Sequence, residues 1–277
     1  MPNFLGTKYR IFWSHMEAVN TIEEIKHPGV KGCLTYLNID KGVEVNHAGD
    51  LPARSGLGSS SSFTVGMLHA LHILEGRTPT AHQLATEAID VEQNVMRETV
   101  GIQDQIQCAW GGLNHISIGN DGGYIVTPIN NDGEFEKHLV LVYTGKQRFA
   151  ADIAVEQVSR MDQNTKALEK IVELVPSAVA ALVNVEYQLF GQMLNETWQL
   201  KRSLSDKISS PEIDQLYDTG IRLGAWGGKV LGAGGGGFML FMLPADKRQS
   251  FINSLSSMGN ICMPVSFEYG GTQLVLK

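Results

Sequence analysis

Cysteine is scarce in this chain: Cys33, Cys108 and Cys262 are odd in number and widely spaced among 277 residues. That excludes a disulfide framework, and with no C-x-x-C pair it also excludes a cysteine zinc site, so the thiols read as reduced and the setting as cytoplasmic. Long apolar runs are missing too. No stretch approaches the ~20 apolar residues of a membrane span, and no signal peptide opens the sequence. Positive charge is in deficit: 22 Lys and Arg against 29 Asp and Glu give a formal net charge of −7, which excludes a general nucleic-acid binder. The eight histidines show no H-E-x-x-H spacing. What remains, 43% hydrophobic and 18% charged, is the composition of a globular protein with one large domain or two moderate ones.

The sequence is organised around Leu51 to Leu74. Pro52 ends a preceding strand because proline cannot donate to a sheet ladder. Gly56 and Gly58 let the backbone approach a ligand with no Cβ in the way. Ser59, Ser60, Ser61 and Ser62 suit the N-cap and first turn of a helix, and that helix is apolar at Phe63, Val65, Met67, Leu68, Leu71 and Leu74. A Gly/Ser loop opening a buried helix presents unpaired N–H groups and a positive dipole end, which together select an anion, best of all phosphate. A flexible linker has the same composition, but it does not join a proline-terminated strand to an apolar helix. Two familiar phosphate loops are excluded: there is no G-x-x-x-x-G-K-[ST], and Ser61 stands where the third glycine of G-x-G-x-x-G belongs.

Along the chain, Tyr9, Ile11 and Trp13 alternate like a strand. Thr21 with Glu24 predicts a short helix through Ile25, and a second helix covers Val30 to Leu37. Val43 and Val45 mark the strand leading to the loop. Thr80 with Gln83 starts a helix running to about Glu98, with Glu92 near the middle of its apolar stripe at about 100° per residue. A carboxylate facing a core needs a partner, and an arginine and a metal ion fit equally from this feature alone. Asp104 sits between a glycine and Gly111-Gly112, where a carboxylate either caps a helix or takes a proton from a substrate hydroxyl. His115–Ile118 and Tyr124–Pro128 form a hairpin. Asn130-Asn-Asp-Gly marks the domain boundary. Leu139–Tyr143 is a core strand, with the cations Lys146 and Arg148 following. Helices fill Ala150–Val175 and Ser177–Ser203, broken at Pro176, and then Pro211 to Ala225. Strand-like residues flank the run Gly232 to Gly237, so its glycines, Gly234 and Gly235 among them, mark a close approach of two backbones or a ligand. A helix near residues 246–258 and a last strand at Val265–Tyr269 complete the chain.

Leu51-Pro-Ala-Arg-Ser-Gly-Leu-Gly-Ser-Ser-Ser-Ser resembles the nucleotide-phosphate motif of the GHMP small-molecule kinases. Gly101-Ile-Gln-Asp-Gln resembles the segment carrying the catalytic aspartate in their sugar members, and Gly232-Ala-Gly-Gly-Gly-Gly resembles the third family motif. Within that family, Ile25-Lys-His-Pro and the stretch from Tyr143-Thr-Gly to Ala151-Asp-Ile-Ala look like bacterial D-glycero-D-manno-heptose 7-phosphate kinases. The resemblance implies an α+β chain of two domains: residues 1–131, an ATP-binding domain of ribosomal-protein-S5-like form, and residues 132–277, a ferredoxin-like domain. It implies ATP on Pro52, Arg54, Ser55, Gly56, Leu57, Gly58, Ser59, Ser60 and Ser61, with Mg2+ on Ser60 and Glu92. Asp104 is implied as the residue that orients and deprotonates the acceptor hydroxyl. Arg54, Lys146 and Arg148 are implied to neutralise phosphate, and the 232–237 loop, with Gly234 and Gly235, to line the substrate site. The implied reaction phosphorylates the anomeric hydroxyl of a sugar phosphate, without nucleic-acid or membrane partners, and is compatible with a homodimer. Nothing in the sequence matches the family's glycine-rich first motif, which implies an N-terminally truncated chain. Kinases for another sugar, a sugar acid or an isoprenoid alcohol, and an inactive nucleotide-binding remnant, are the alternatives.

Overall fold

The buried alternation of Tyr9 and Ile11 produces β1 (Tyr9–Phe12). It pairs antiparallel with β2 (Met16–Val19) and parallel with β3 (Glu44–Asn46). The computed structural model describes residues 6–51, 55–130, 133–146 and 150–275. Two compact units emerge, the first from 1–53, 58–111 and 270–277, the second from 54–57 and 112–269.

In the first unit, the β2-β1-β3 sheet is accompanied by α1 (Pro28–Tyr36), α2 (Ser59–Leu74), α3 (Ala81–Asp90) and α4 (Gln103–Trp110). His27 caps α1 through its imidazole, which accepts from Val30 N at 3.3 Å, and Pro28 at N1 loses nothing there. Thr80 caps α3 in the same way, accepting from Gln83 N at 3.1 Å. Val30, Leu34, Val65, Leu68, Leu71, Leu84, Ala88 and Ile106 fill the core between these helices. The helix expected from Thr21 is instead a turn. Glu24 does reach back to the Thr21 N–H at 3.2 Å, as in a capping box, but Pro28 opens α1 only seven residues on and leaves no room for a helix of its own.

The second unit holds the expected hairpin, β4 (Asn114–Ile118) and β5 (Tyr124–Pro128), with Ile118 paired to Tyr124. Its antiparallel sheet runs β7 (Gly227–Val230), β8 (Phe238–Met242), β6 (Leu139–Tyr143), β9 (Cys262–Pro264). The helices are α5 (Ala150–Ser159), α6 (Met161–Val183), α7 (Tyr187–Arg202), α8 (Pro211–Arg222) and α9 (Arg248–Ser257). Trp198, Tyr217, Phe241, Phe251, Val140 and Val142 form the main core.

Further expectations change: the helix expected over Ala150–Val175 is split at Arg160 into α5 and α6. Pro176 lies inside α6 rather than ending a helix. Proline removes a single interior hydrogen bond, and the flanking turns of a long helix can bridge that loss. The chain breaks instead at Val185, which carries a left-handed φ of 62°. The last strand forms at Cys262–Pro264, upstream of Val265–Tyr269, where Met263 pairs with Leu141.

Candidate functional site

Gly58 is the N-cap of α2, at a left-handed φ of 67°, and no side chain caps the helix. Its first turn carries no acidic residue, so no side chain of the 16-residue helix itself offsets its N-terminal N–H groups and dipole. Beside it, in the first turn of α4, stands Asp104. A Cβ on Gly58 would lie 3.3 Å from the Asp104 carboxyl carbon, so glycine is what lets this carboxylate approach the helix start. Asp104 is exposed as a residue, yet lost hydration raises its carboxyl above the usual range.

Glu92 lies deeper. It sits in the five-residue π-helical turn Val91–Val95 that continues α3, a distortion that functional sites often contain. The residue is 0% exposed. Its Oε2 accepts from Ser61 Oγ at 3.0 Å and from Gln105 Nε2 at 2.5 Å. Its Oε1 is buried with no partner, as is Gln105 Oε1. Burial pushes the Glu92 carboxyl upward, against the opposing hydrogen bonds of Gln105 and Ser61. No lysine or arginine among the described residues pairs with it, so the ion-pair alternative left open by the sequence is absent there.

These observations bear on whether a divalent cation fits. A buried carboxylate with one unpartnered oxygen is a hard, anionic, oxygen-only donor, as Mg2+ prefers. Among the described residues no group of three His, Cys, Asp or Glu side chains could hold a metal alone. Ser60 is exposed at the second position of α2, while its neighbour Ser61 is the serine that bonds Glu92. Nearby, burial raises the Cys108 thiol to about 11, which leaves it inert at neutral pH.

In the second unit, Ser55 and Gly56 interlock with the 231–238 segment. Gly56 passes so close that a Cβ there would stand 2.9 Å from Leu231 O, and a Cβ on Gly237 would overlap Ser55 O. Phe238 N donates to Ser55 O at 3.2 Å. The Ser55 hydroxyl is buried without a partner. Gly234 and Gly235 are buried against Ile208, whose carbonyl accepts Gly235 N at 2.8 Å. Lys146 donates to Glu212 at 2.8 Å and to Ser210 at 3.3 Å, so its charge is already matched. Leu57 is half-buried and Ser59 exposed. Pro52, Arg54 and Arg148 lie outside the described residues.

The structure thus brings Gly58, Ser61, Glu92 and Asp104 together in the first unit. Sequence reasoning passed over Gln105, the residue after Asp104, and the pair Lys201 and Lys229, which flank the glycine run. The position of Lys229, three residues before Gly232, was a usable signal; the approach of Lys201 was not.

Comparison with known proteins places the chain in context. Residues 18–112 match the model of the GHMP kinases N terminal domain, and residues 178–261 match that of the GHMP kinases C terminal region. A D-glycero-alpha-D-manno-heptose 7-phosphate kinase of Campylobacter jejuni is 29% identical over 231 residues, 81% of this chain and 68% of its own length. A mevalonate kinase of Methanocaldococcus jannaschii is 26% identical over 234 residues, 82% of this chain and 70% of its own. Among solved structures, a D-glycero-D-manno-heptose 1-phosphate kinase from Bacteroides thetaiotaomicron superposes with a TM-score of 0.73 at 21% identity, covering 96% of this chain and 82% of that one. No helix among the described residues is long and apolar enough to cross a membrane.

Proposed function

Because this chain belongs to the GHMP kinases, phosphotransferases that use ATP as donor, we propose that it phosphorylates D-glycero-D-manno-heptose 7-phosphate at the anomeric hydroxyl, giving the 1,7-bisphosphate. The observation that carries the reading is the Asp104 carboxylate, set against Gly58 at the uncapped start of α2. A nucleotide's phosphates suit that helix start. Asp104 then accepts the proton of the sugar hydroxyl, or fixes that hydroxyl for in-line attack. A carboxyl raised by lost hydration is a better proton acceptor than an ordinary one. Glu92, with Ser60 on α2, would hold Mg2+, which when bound neutralises charge on the transferring phosphoryl group. Positioning and charge stabilisation dominate phosphoryl transfer, so this small set of residues is sufficient chemistry.

The choice of a phosphorylated heptose rests on the Campylobacter jejuni relative and on the Ile25-Lys-His-Pro and Tyr143-Thr-Gly likenesses. The mevalonate kinase relative supports the second reading, an isoprenoid alcohol as acceptor. Three free cysteines support a cytoplasmic enzyme. The test is Mg-ATP-dependent phosphorylation across a panel of heptose 7-phosphate, unphosphorylated sugars and mevalonate, with Asp104→Ala in parallel. Turnover of the heptose phosphate, abolished by the substitution, is the expected result. Preference for mevalonate or a neutral sugar would overturn the substrate, and full activity in Asp104→Ala would overturn the role of the aspartate.

A further inference from the structure

Most cations of the second unit that face a carboxylate hold it. Lys146 binds Glu212, Arg160 and Lys207 bind Glu156, and Arg202 binds Asp214, at 2.6 to 3.1 Å. Lys201 and Lys229 do not follow that pattern. Lys201 closes the last turn of α7 and Lys229 sits in β7. α7 lies against β7 closely enough that a Cβ on Gly227 would overlap Gly191 O. Both lysines are half-buried. Lys201 Nζ donates to Gly232 O at the head of the glycine run. Lys229 has no hydrogen-bond or ion-pair partner among the described residues, and no carboxylate there pairs with Lys201.

The two amines are partly dehydrated and close enough to repel each other, and neither has a carboxylate partner among the described residues. Burial and the Lys229 charge bring Lys201 down to about 7, and burial lowers Lys229. A role in holding the loop accounts for Lys201, through Gly232 O, but gives Lys229 nothing to do. An anion would engage both. A carboxylate balances one charge; a phosphate monoester carries up to two and offers three acceptor oxygens to donors arriving from different elements.

We propose that Lys201, at the end of α7 and held by Gly232 O, and Lys229, on β7, form a binding site for a phosphate monoester. The site itself does not depend on the heptose 7-phosphate reading; only the claim that the acceptor's own phosphate fills it rests on that reading, the alternative source being the nucleotide.

The test starts with calorimetry of the full chain and inorganic phosphate, at pH 7.5, in two buffers of different ionisation enthalpy. Wild type should bind phosphate with net proton uptake, because the anion restores the Lys201 charge. Lys229→Met and Lys201→Met should each weaken binding about tenfold or more and lose the uptake, while Lys229→Arg keeps measurable binding. Since Lys229 has no partner to lose, Lys229→Met should fold with an unchanged or higher melting temperature, so weak binding cannot be blamed on unfolding. Phosphate binding by both methionine variants equal to wild type would overturn the proposal. Steady-state kinetics then identify the source: in Lys229→Met, a tenfold rise in KM for heptose 7-phosphate assigns the pocket to the acceptor, and the same rise in KM for ATP assigns it to the nucleotide. A wild type that binds phosphate without turning over heptose 7-phosphate would remove the substrate reading and leave the lysine site standing.

Discussion

Glu92→Gln separates a carboxylate kept for function from one kept for structure. The side chain is wholly buried, one oxygen takes two hydrogen bonds, and the other takes none. Leaving a buried polar atom unpaired costs about 1–3 kcal/mol. Glutamine keeps the volume, and its carbonyl can keep the bonds from Ser61 and Gln105, while the charge disappears. In metal-free buffer at pH 8, Glu92→Gln should therefore be more stable than wild type by about 1–2 kcal/mol, a rise of roughly 2–5 °C in a chain of this size. The pH dependence carries a sign. The folded carboxyl titrates above its unfolded value of 4.5, so the native state holds the proton more tightly. Wild type is then relatively most stable below pH 4.5 and loses that stability as pH climbs through the folded pKa. The advantage of the glutamine variant should accordingly vanish at pH 4. Chemical denaturation at pH 4 and 8, with EDTA and then with Mg2+ and a non-hydrolysable nucleotide, measures both effects. The added ligands should raise wild type and leave the variant unmoved. A variant less stable than wild type at pH 8 without metal would refute the reasoning, because the charge would then be supporting the fold.

Asp104→Asn should leave nucleotide affinity intact and lower kcat by about 10²–10⁴, removing the acid limb of the pH–rate profile, which in wild type lies above the ordinary 3.8 of aspartate. Gly58→Ala forces a side chain into a left-handed φ of 67°, costs about 1–2 kcal/mol, and displaces the Asp104 carboxyl. Melting temperature should fall modestly and kcat by a larger factor. Gly237→Ala combines a φ of 81° with overlap on Ser55 O, so expression of soluble protein should drop where Gly66→Ala, with open space around it, is silent. Phe241→Ala in the core of the second unit should cost about 3–5 kcal/mol, read by urea denaturation.

The elements with an unbroken period were legible in sequence. α2 and the β4–β5 hairpin fell where apolar spacing and turn residues placed them, and Glu92 was singled out because it interrupts an apolar stripe. The π-turn that carries Glu92 was not legible, since five residues of changed period are invisible inside a helix that is otherwise regular. Thr21 and Glu24 show the opposite error: a capping signature formed its hydrogen bond without the helix. Lys146 was read as an open cation because its partner, Glu212, lies 66 residues away, and no local pattern announces such a pairing. The same blindness hid Lys201 from Lys229.

The two carboxylates of the first unit differ in a way that local sequence could not rank. Asp104 and Glu92 both titrate high because burial disfavours their charge. Asp104 stands in the first turn of α4 with solvent access and a glycine neighbour, as the proposed proton acceptor requires. Glu92 is wholly buried, and Gln105, the residue after Asp104, donates to it. α4 therefore ties the two groups together: the helix that presents Asp104 outward also sends Gln105 inward to fix Glu92. A shift of α4 by a fraction of an ångström would move both at once. Gln105→Leu should accordingly lower metal-nucleotide affinity as well as kcat, and it should broaden the Asp104 titration followed by carboxyl NMR. A loss confined to kcat would show that Gln105 serves Asp104 alone and that the link to Glu92 is incidental.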